Sequence, residues 1–192
     1  MLRYFIIYKP FRILSQFTSA EGKLALKDIF TVPRDVYPVG RLDYDSEGLL
    51  ILTNDTSINH RLLDPKHAHE REYWVQVEGA MHTLDAARLE KGITINIDGK
   101  DYKTKPCKAT LFDKQPPVPD RDPPIRFRKN IPTTWIKLIL TEGKNRQVRK
   151  MTAKAGFPTL RLIRQGIGGI TLNGMQPGDM KELNPNYFIT LL

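Results

Sequence analysis

Val39–Asp55, VGRLDYDSEGLLILTND, is the stretch on which the reading of the chain turns. A Pro38-Val39-Gly40 turn leads into it, Arg41 stands two residues before Asp43, and the apolar run Leu49 to Leu52 follows. A short apolar run flanked by turn residues reads as a buried strand rather than a helix. Asp43 then lies in the connection entering that strand, where functional side chains are often held. Spacing leaves two readings of Asp43: a working carboxylate, or half of an Arg-Asp ion pair tying down a turn.

Outward from this strand, Leu2 to Tyr8 reads as a first strand and Lys23 to Phe30 as a short helix with Leu26, Ile29 and Phe30 facing inward. Asp55 or Thr56 caps a helix that buries Ile58 and Leu62, with Pro65 past its end. Tyr73, Val75 and Val77 alternate with polar or larger neighbours, the period of a strand. Thr83 to Lys91 reads as a helix capped by Thr83 and stopped by Gly92. Ile93 to Ile97, Cys107 to Phe112, Trp135 to Thr141, Leu160 to Gln165, Ile170 to Leu172 and Tyr187 to Leu191 read as strands. A helix of about 12 residues ends at Gly156, with Val148, Met151, Thr152 and Ala155 as its buried stripe and Arg146, Arg149 and Lys150 on another face. Strands dominate and no regular βαβ repeat occurs. The expected class is α+β with a mainly antiparallel sheet and flanking helices.

The chain has 192 residues, enough for one domain or two fused halves with a sizeable core. Its single cysteine, Cys107, excludes an internal disulfide and suits a reducing compartment. The start, MLRYFIIYKP, has too short an apolar run for a signal peptide, and no later run approaches a membrane span. A cytoplasmic protein is expected. The net charge of +9 is uneven: Arg121 to Arg164 holds 12 Lys and Arg against 2 Asp and Glu, while the remainder nearly balances. Clustered cations neutralise phosphates and release counterions, so nucleic acid is the first partner to consider; the plain alternative is a solvated basic surface. Residues 115–132 hold 6 of the 14 prolines and form an irregular insertion. Arg126, Arg128 and Lys129 within it favour contact with RNA over a floppy surface loop.

GRLDYDSEGLLILTND resembles the catalytic motif of the pseudouridine synthases, in the branch that modifies ribosomal RNA of the small and large subunits. Arg71-Glu72-Tyr73-Trp74-Val75 is similar to the family's second segment. Glu142 to Met151, EGKNRQVRKM, is similar to its basic third segment, and Gly156 to Arg164, GFPTLRLIR, follows in the expected order. The resemblance implies a long curved mixed sheet around an RNA cleft and action on large-subunit ribosomal RNA. The implied reaction needs no cofactor or metal, and a lone catalytic core with a small charged surface is expected to be a monomer. Many members carry an accessory RNA-binding domain ahead of the catalytic core. Here the first strand begins at residue 2, so residues 1–192 are expected to be the catalytic domain alone, either because the protein lacks the accessory domain or because the chain is trimmed.

The family reaction breaks the bond from ribose C1′ to uracil N1 and rejoins the base through C5. Nothing is oxidised and no group is added. One carboxylate suffices, as nucleophile or as base, whereas hydrolytic glycosidases use two. By resemblance Asp43 takes this role, Tyr73 packs on the everted base, and Arg149 holds Asp43 ionised, with Arg146 as the alternative. Arg41 serves the flanking phosphates or pairs with Glu47 or Asp45. Leu162 presses on the base or is plain core. Lys144, Lys150, Arg161 and Arg164, with Arg126 and Arg128, are expected RNA contacts. His60, His67, His69 and His82 lack the support of a metal site. Gly166 to Gly169 opens no helix and reads as a turn rather than a phosphate loop. The competing reading is a non-catalytic RNA-binding or ribosome-assembly module on the same fold.

Overall fold

The structure, a computed structural model, describes residues 1–20, 22–126 and 128–192, apart from the side chain of Pro65. Its strands are β1 (Tyr4–Lys9), β2 (Tyr37–Val39), β3 (Glu47–Thr53), β4 (Arg71–Glu78), β5 (Thr94–Ile97), β6 (Lys100–Lys103), β7 (Lys108–Leu111), β8 (Thr133–Leu140), β9 (Thr159–Ile167), β10 (Ile170–Thr171) and β11 (Met180–Leu183). Its α-helices are α1 (Thr56–Leu63), α2 (Thr83–Glu90), α3 (Gln147–Lys154) and α4 (Pro185–Thr190). The class is α+β with a mixed, mostly antiparallel sheet, as expected. The chain divides into two compact units: Met1–His69 with Ile163–Leu192, and Glu70–Leu162.

In the first unit the strand order is β11-β1-β3-β9, with β2 also on β3 and β10 on β9. Every residue of β1 and β3 is buried. That is why the Leu49–Leu52 run shows no alternation: both faces of the strand are covered. β1 and β3 pair antiparallel from Tyr4↔Thr53 to Lys9↔Gly48. β3 and β9 pair parallel at Glu47↔Ile163 and Gly48↔Arg164. A core of Phe5, Ile7, Leu26, Phe30, Leu50 and Leu52 lies on one side. Asp55 caps α1, accepting from Ser57 N, and Ile58 and Leu62 are its buried face.

In the second unit the order is β9-β4-β8-β7, with β5 and β6 as a separate hairpin. β4 and β8 pair antiparallel along their full length, from Arg71↔Leu140 to Glu78↔Thr133. Tyr73, Val75 and Val77 face a core shared with Leu89, Leu138, Val148, Met151 and Leu162.

Several boundaries differ from the expectation. Residues 187–191 are not a strand: Tyr187 to Thr190 lie in α4, which Asn184 caps through Oδ1 with Pro185 in the first turn. Asn-Pro is a helix-start signal that outweighs a β-rich YFIT. The helix expected from Lys23 shrinks to a single 3₁₀ turn, Leu26–Asp28, and Ile29 is 41 % exposed rather than inward. α2 is capped at His82, whose N–H donates to Asp85 Oδ2, so Thr83 is already inside the helix. α3 has 8 residues, and Arg146 is its N-cap in a left-handed conformation (φ 52°), outside the helical face assigned to it. β2, β6 and β11 had not been expected: Pro38 and Val39, read as part of a turn, pair with Leu52 and Ile51 of β3, and β6 and β11 are mostly exposed and polar, so they carry little hydrophobic pattern.

Candidate active site

Asp43 is half-buried on the turn between β2 and β3, and Arg41 beside it is exposed. The turn is braced from several sides. Gly40 has φ +68°, where glycine is favoured. Leu42 N donates to Ser15 Oγ at 3.0 Å, while the same hydroxyl donates to Leu42 O at 2.8 Å. Arg12 N donates to Tyr44 O at 2.9 Å, and Ser46 N donates back to Asp43 O at 3.0 Å. The main chain of Asp43 is thus held while its side chain keeps solvent access.

Beneath lies a residue that the sequence reading passed over. Lys9, the last residue of β1, is 0 % exposed. Its Nζ donates to the carbonyls of Pro10 and Ile13 at 2.9 and 2.8 Å. Burial lowers its pKa from 10.5 to about 7; Glu47, Asp45 and Asp43 pull it upward, and the Arg164 cation pushes it down. Asp43 therefore belongs to a charge cluster of three carboxylates and two cations within its own unit. Arg164 is itself buried (6 % exposed) and donates through Nε to Leu49 O at 2.8 Å, bracing the parallel β3–β9 junction.

In the second unit, three motif segments converge on one core. Tyr73 from β4 (9 % exposed), Val148 and Met151 from α3, and Leu162 from β9 (6 % exposed) belong to a single apolar cluster. Arg149 and Lys150 are half-buried on α3, while Lys144 and Arg146 are exposed before it. Arg161 is only 5 % exposed and donates through Nη1 to Pro119 O at 2.8 Å. Arg126 and Arg128 are exposed on the insertion.

Glu142 is the organiser of the basic segment. It is 7 % exposed and accepts from Lys105 N at 2.9 Å, from Gln147 Nε2 at 2.6 Å and from the Tyr102 hydroxyl. The hydrogen bond to Glu142, then burial, pushes the Tyr102 phenol up to about 12. Gln147 Oε1 in turn accepts from Lys144 N at 2.9 Å, and Lys144 Nζ sits 5.1 Å from the centroid of the Tyr102 ring. Glu142 and Gln147 lie within the motif and could have been noticed as the uncharged-or-opposite residues among cations; Tyr102 gave no sequence signal.

Among the described residues, His60, Asp64 and His67 bring one ligand atom each within 4.8 Å of one another. His60 is exposed, its Nε2 3.7 Å from Asp64 Oδ2. The histidine spacing had not flagged Asp64. No helix among the described residues is long and apolar enough to cross a membrane.

Comparison with known proteins gives the class first: this is an RNA-modifying isomerase. A family model described as RNA pseudouridylate synthase matches residues 3–154. The ribosomal large subunit pseudouridine synthase E of Vibrio parahaemolyticus is 49% identical over 178 residues, spanning 93% of this chain and 72% of its own length. The protein of the same name from Xanthomonas axonopodis pv. citri is 47% identical over 174 residues, 90% of this chain and 89% of its own. A crystal structure of a pseudouridylate synthase matches the fold with a TM-score of 0.80 at 25% identity, covering 100% of this chain and 74% of that one. The chain belongs to the RNA pseudouridylate synthase family.

Proposed function

We propose that this chain converts one uridine of large-subunit ribosomal RNA into pseudouridine, with Asp43 as the nucleophile or base acting on a uridine turned out of its stack. The observation that carries the reading is the 49% identity, over 93% of the chain, to a large-subunit pseudouridine synthase E. The braced turn that presents Asp43 agrees with it: a carboxylate held by its main chain loses little entropy on meeting a substrate.

In this reading Asp43 attacks ribose C1′ or takes a ribose proton, and the N1–C1′ bond breaks. The freed uracil turns within the pocket and bonds through C5 to C1′, which releases the Asp43 carboxylate or returns the abstracted proton to the ribose; the C5 proton is then lost to solvent and N1 takes one up. Tyr73 supplies the surface that replaces lost stacking. Arg149 neutralises the carboxylate, and Arg41, Lys144, Arg146 and Lys150 meet phosphates. Leu162, Arg161 and Arg164 support these elements from within, being buried. No cofactor enters the chemistry, and the enzyme acts as a cytoplasmic monomer.

The test is Asp43→Asn assayed on ribosomal RNA carrying tritium at uridine C5. The variant is expected to bind RNA as the native chain does and release no tritium. Turnover by Asp43→Asn would end the assignment of the aspartate. Free uracil as product of the native chain would mark a hydrolase instead.

A further inference from the structure

β7 and β8 are neighbouring antiparallel strands, a pair that a tight turn of a few residues can join. Here residues 112–132 intervene, so the length serves something other than topology. The insertion is anchored rather than loose. Arg161 Nη1 donates to Pro119 O at 2.8 Å, Arg121 Nη1 to Leu160 O at 3.3 Å, and Gly79 N to Pro132 O at 2.8 Å. Its last residues close a cavity of about 450 Å³ against the ends of β4 and β8.

The walls of this cavity are of two kinds. Ile125, Ile131 and Pro132 are apolar; Arg126, Arg128 and Lys129 are cationic and exposed. Glu78 compensates part of that charge, with its Oε1 3.2 Å from Arg128 Nη1. Gln76 projects from β4 into the lining, its Nε2 donating to Thr133 Oγ1 at 3.1 Å. Side chains alternate across a strand. Gln76 and Glu78 therefore stand on the face of β4 opposite Tyr73, Val75 and Val77, which are packed in the core. The cavity is separate from the tyrosine that the catalytic reading uses.

We infer that this hollow is a docking site for one unpaired nucleotide of an RNA strand, on the sheet face opposite Tyr73. Arg126 and Lys129 meet the phosphate, the isoleucines and proline take the face of the base, and Gln76 reads its edge. Charge complementarity selects the occupant: an excess of cations around an apolar floor fits a phosphodiester joined to a flat base. An acidic peptide would match the cations and leave the apolar floor unused. The inference rests on the synthase reading only in naming ribosomal RNA as the source of the strand.

The experiment uses the full chain and a short fluorescent single-stranded RNA. Arg126→Ala with Lys129→Ala should weaken binding about tenfold and make the dependence of log affinity on log salt shallower by about two, one for each phosphate-facing cation lost. Gln76→Ala should leave that slope alone and change the ranking of oligo(A), oligo(C) and oligo(U). Cross-linking of a 4-thiouridine-substituted RNA to the native chain should map to residues 125–133, a readout that needs no variant. Native affinity and slope in the double variant, cross-links confined to other segments, or equal binding of polyglutamate would each overturn the site. Tritium release by the native chain is measured in parallel. Its absence would remove the synthase reading and leave the docking site standing if the double variant still loses RNA.

Discussion

Replacing Lys9 with methionine tests the electrostatics under the Asp43 turn. The Lys9 pKa falls from 10.5 to about 7, chiefly because the ammonium is buried. The folded value is the lower one, so between the two the unfolded chain binds more protons and stability rises with pH. Below about 7 both states carry the proton and the whole penalty is present, on the order of 5 kcal/mol; it is fully relieved only above the unfolded value of 10.5. Linkage between those values gives a gain of about 2–3 kcal/mol from roughly pH 6 to roughly pH 9. Methionine keeps the aliphatic stem and removes the titration. It also strands the Pro10 and Ile13 carbonyls, at about 1–3 kcal/mol each, an offset that does not vary with pH. Urea unfolding of both proteins across this range isolates the ammonium, because other titrating groups are common to both. The stability of the native chain relative to Lys9→Met is expected to climb by about 2–3 kcal/mol from roughly pH 6 to roughly pH 9. A difference that stays flat would refute the reasoning, since it would mean that Lys9 titrates alike in both states.

Gly48→Ala should destabilise by about 3–5 kcal/mol in urea unfolding: its φ is +114°, and an added Cβ would lie 2.4 Å from Arg164 O and 2.6 Å from Arg164 N. A variant as stable as the native chain would disprove the close β3–β9 approach. Glu142→Ala should cost about 3 kcal/mol, because it leaves buried donors on Gln147, Lys105 and Tyr102 without their acceptor. In alkaline spectrophotometric titration, Tyr4 and Tyr102 should ionise late, near about 12. Their contribution to stability is present below the usual phenol value and lost as pH rises through about 12. Tyr102→Phe should remove one of these late phenols, and an unchanged curve would contradict its bond to Glu142.

Sequence legibility followed hydrophobic pattern and capping chemistry. Leu49–Leu52 was readable because four apolar residues between turn formers have few alternatives, and α1 because Asp55 precedes a helical spacing of Ile58 and Leu62. Residues 187–191 misled because β-rich Tyr, Phe, Ile and Thr overrode the Asn184-Pro185 cap that decides the segment. For the candidate site, the motif order singled out Asp43, Tyr73 and Arg149 as expectations, but spacing carried no trace of the buried Lys9. Its role depends on being the last residue of a fully buried strand, and burial of a lysine is a tertiary fact. The Glu142–Tyr102 bond joins residues 40 positions apart, beyond any local pattern.

The charge asymmetry gains meaning once burial is known. Of the 12 cations between Arg121 and Arg164, Arg161 and Arg164 are buried and bonded to backbone carbonyls, so they are part of the frame. Arg126, Arg128, Lys129, Lys144, Arg146 and Lys154 are exposed, and all six fall in the second unit. They form two sequence groups, one on the insertion and one around α3. A basic surface that served solubility alone would have no reason to gather in this way, since interspersed charges of both signs do that work. Two groups on separate elements instead suit a strand contacted at more than one place. If so, their salt dependences add: neutralising the insertion group and the α3 group together should flatten the slope by the sum of the separate changes. A combined change no larger than either alone would mean that both groups meet the same phosphates.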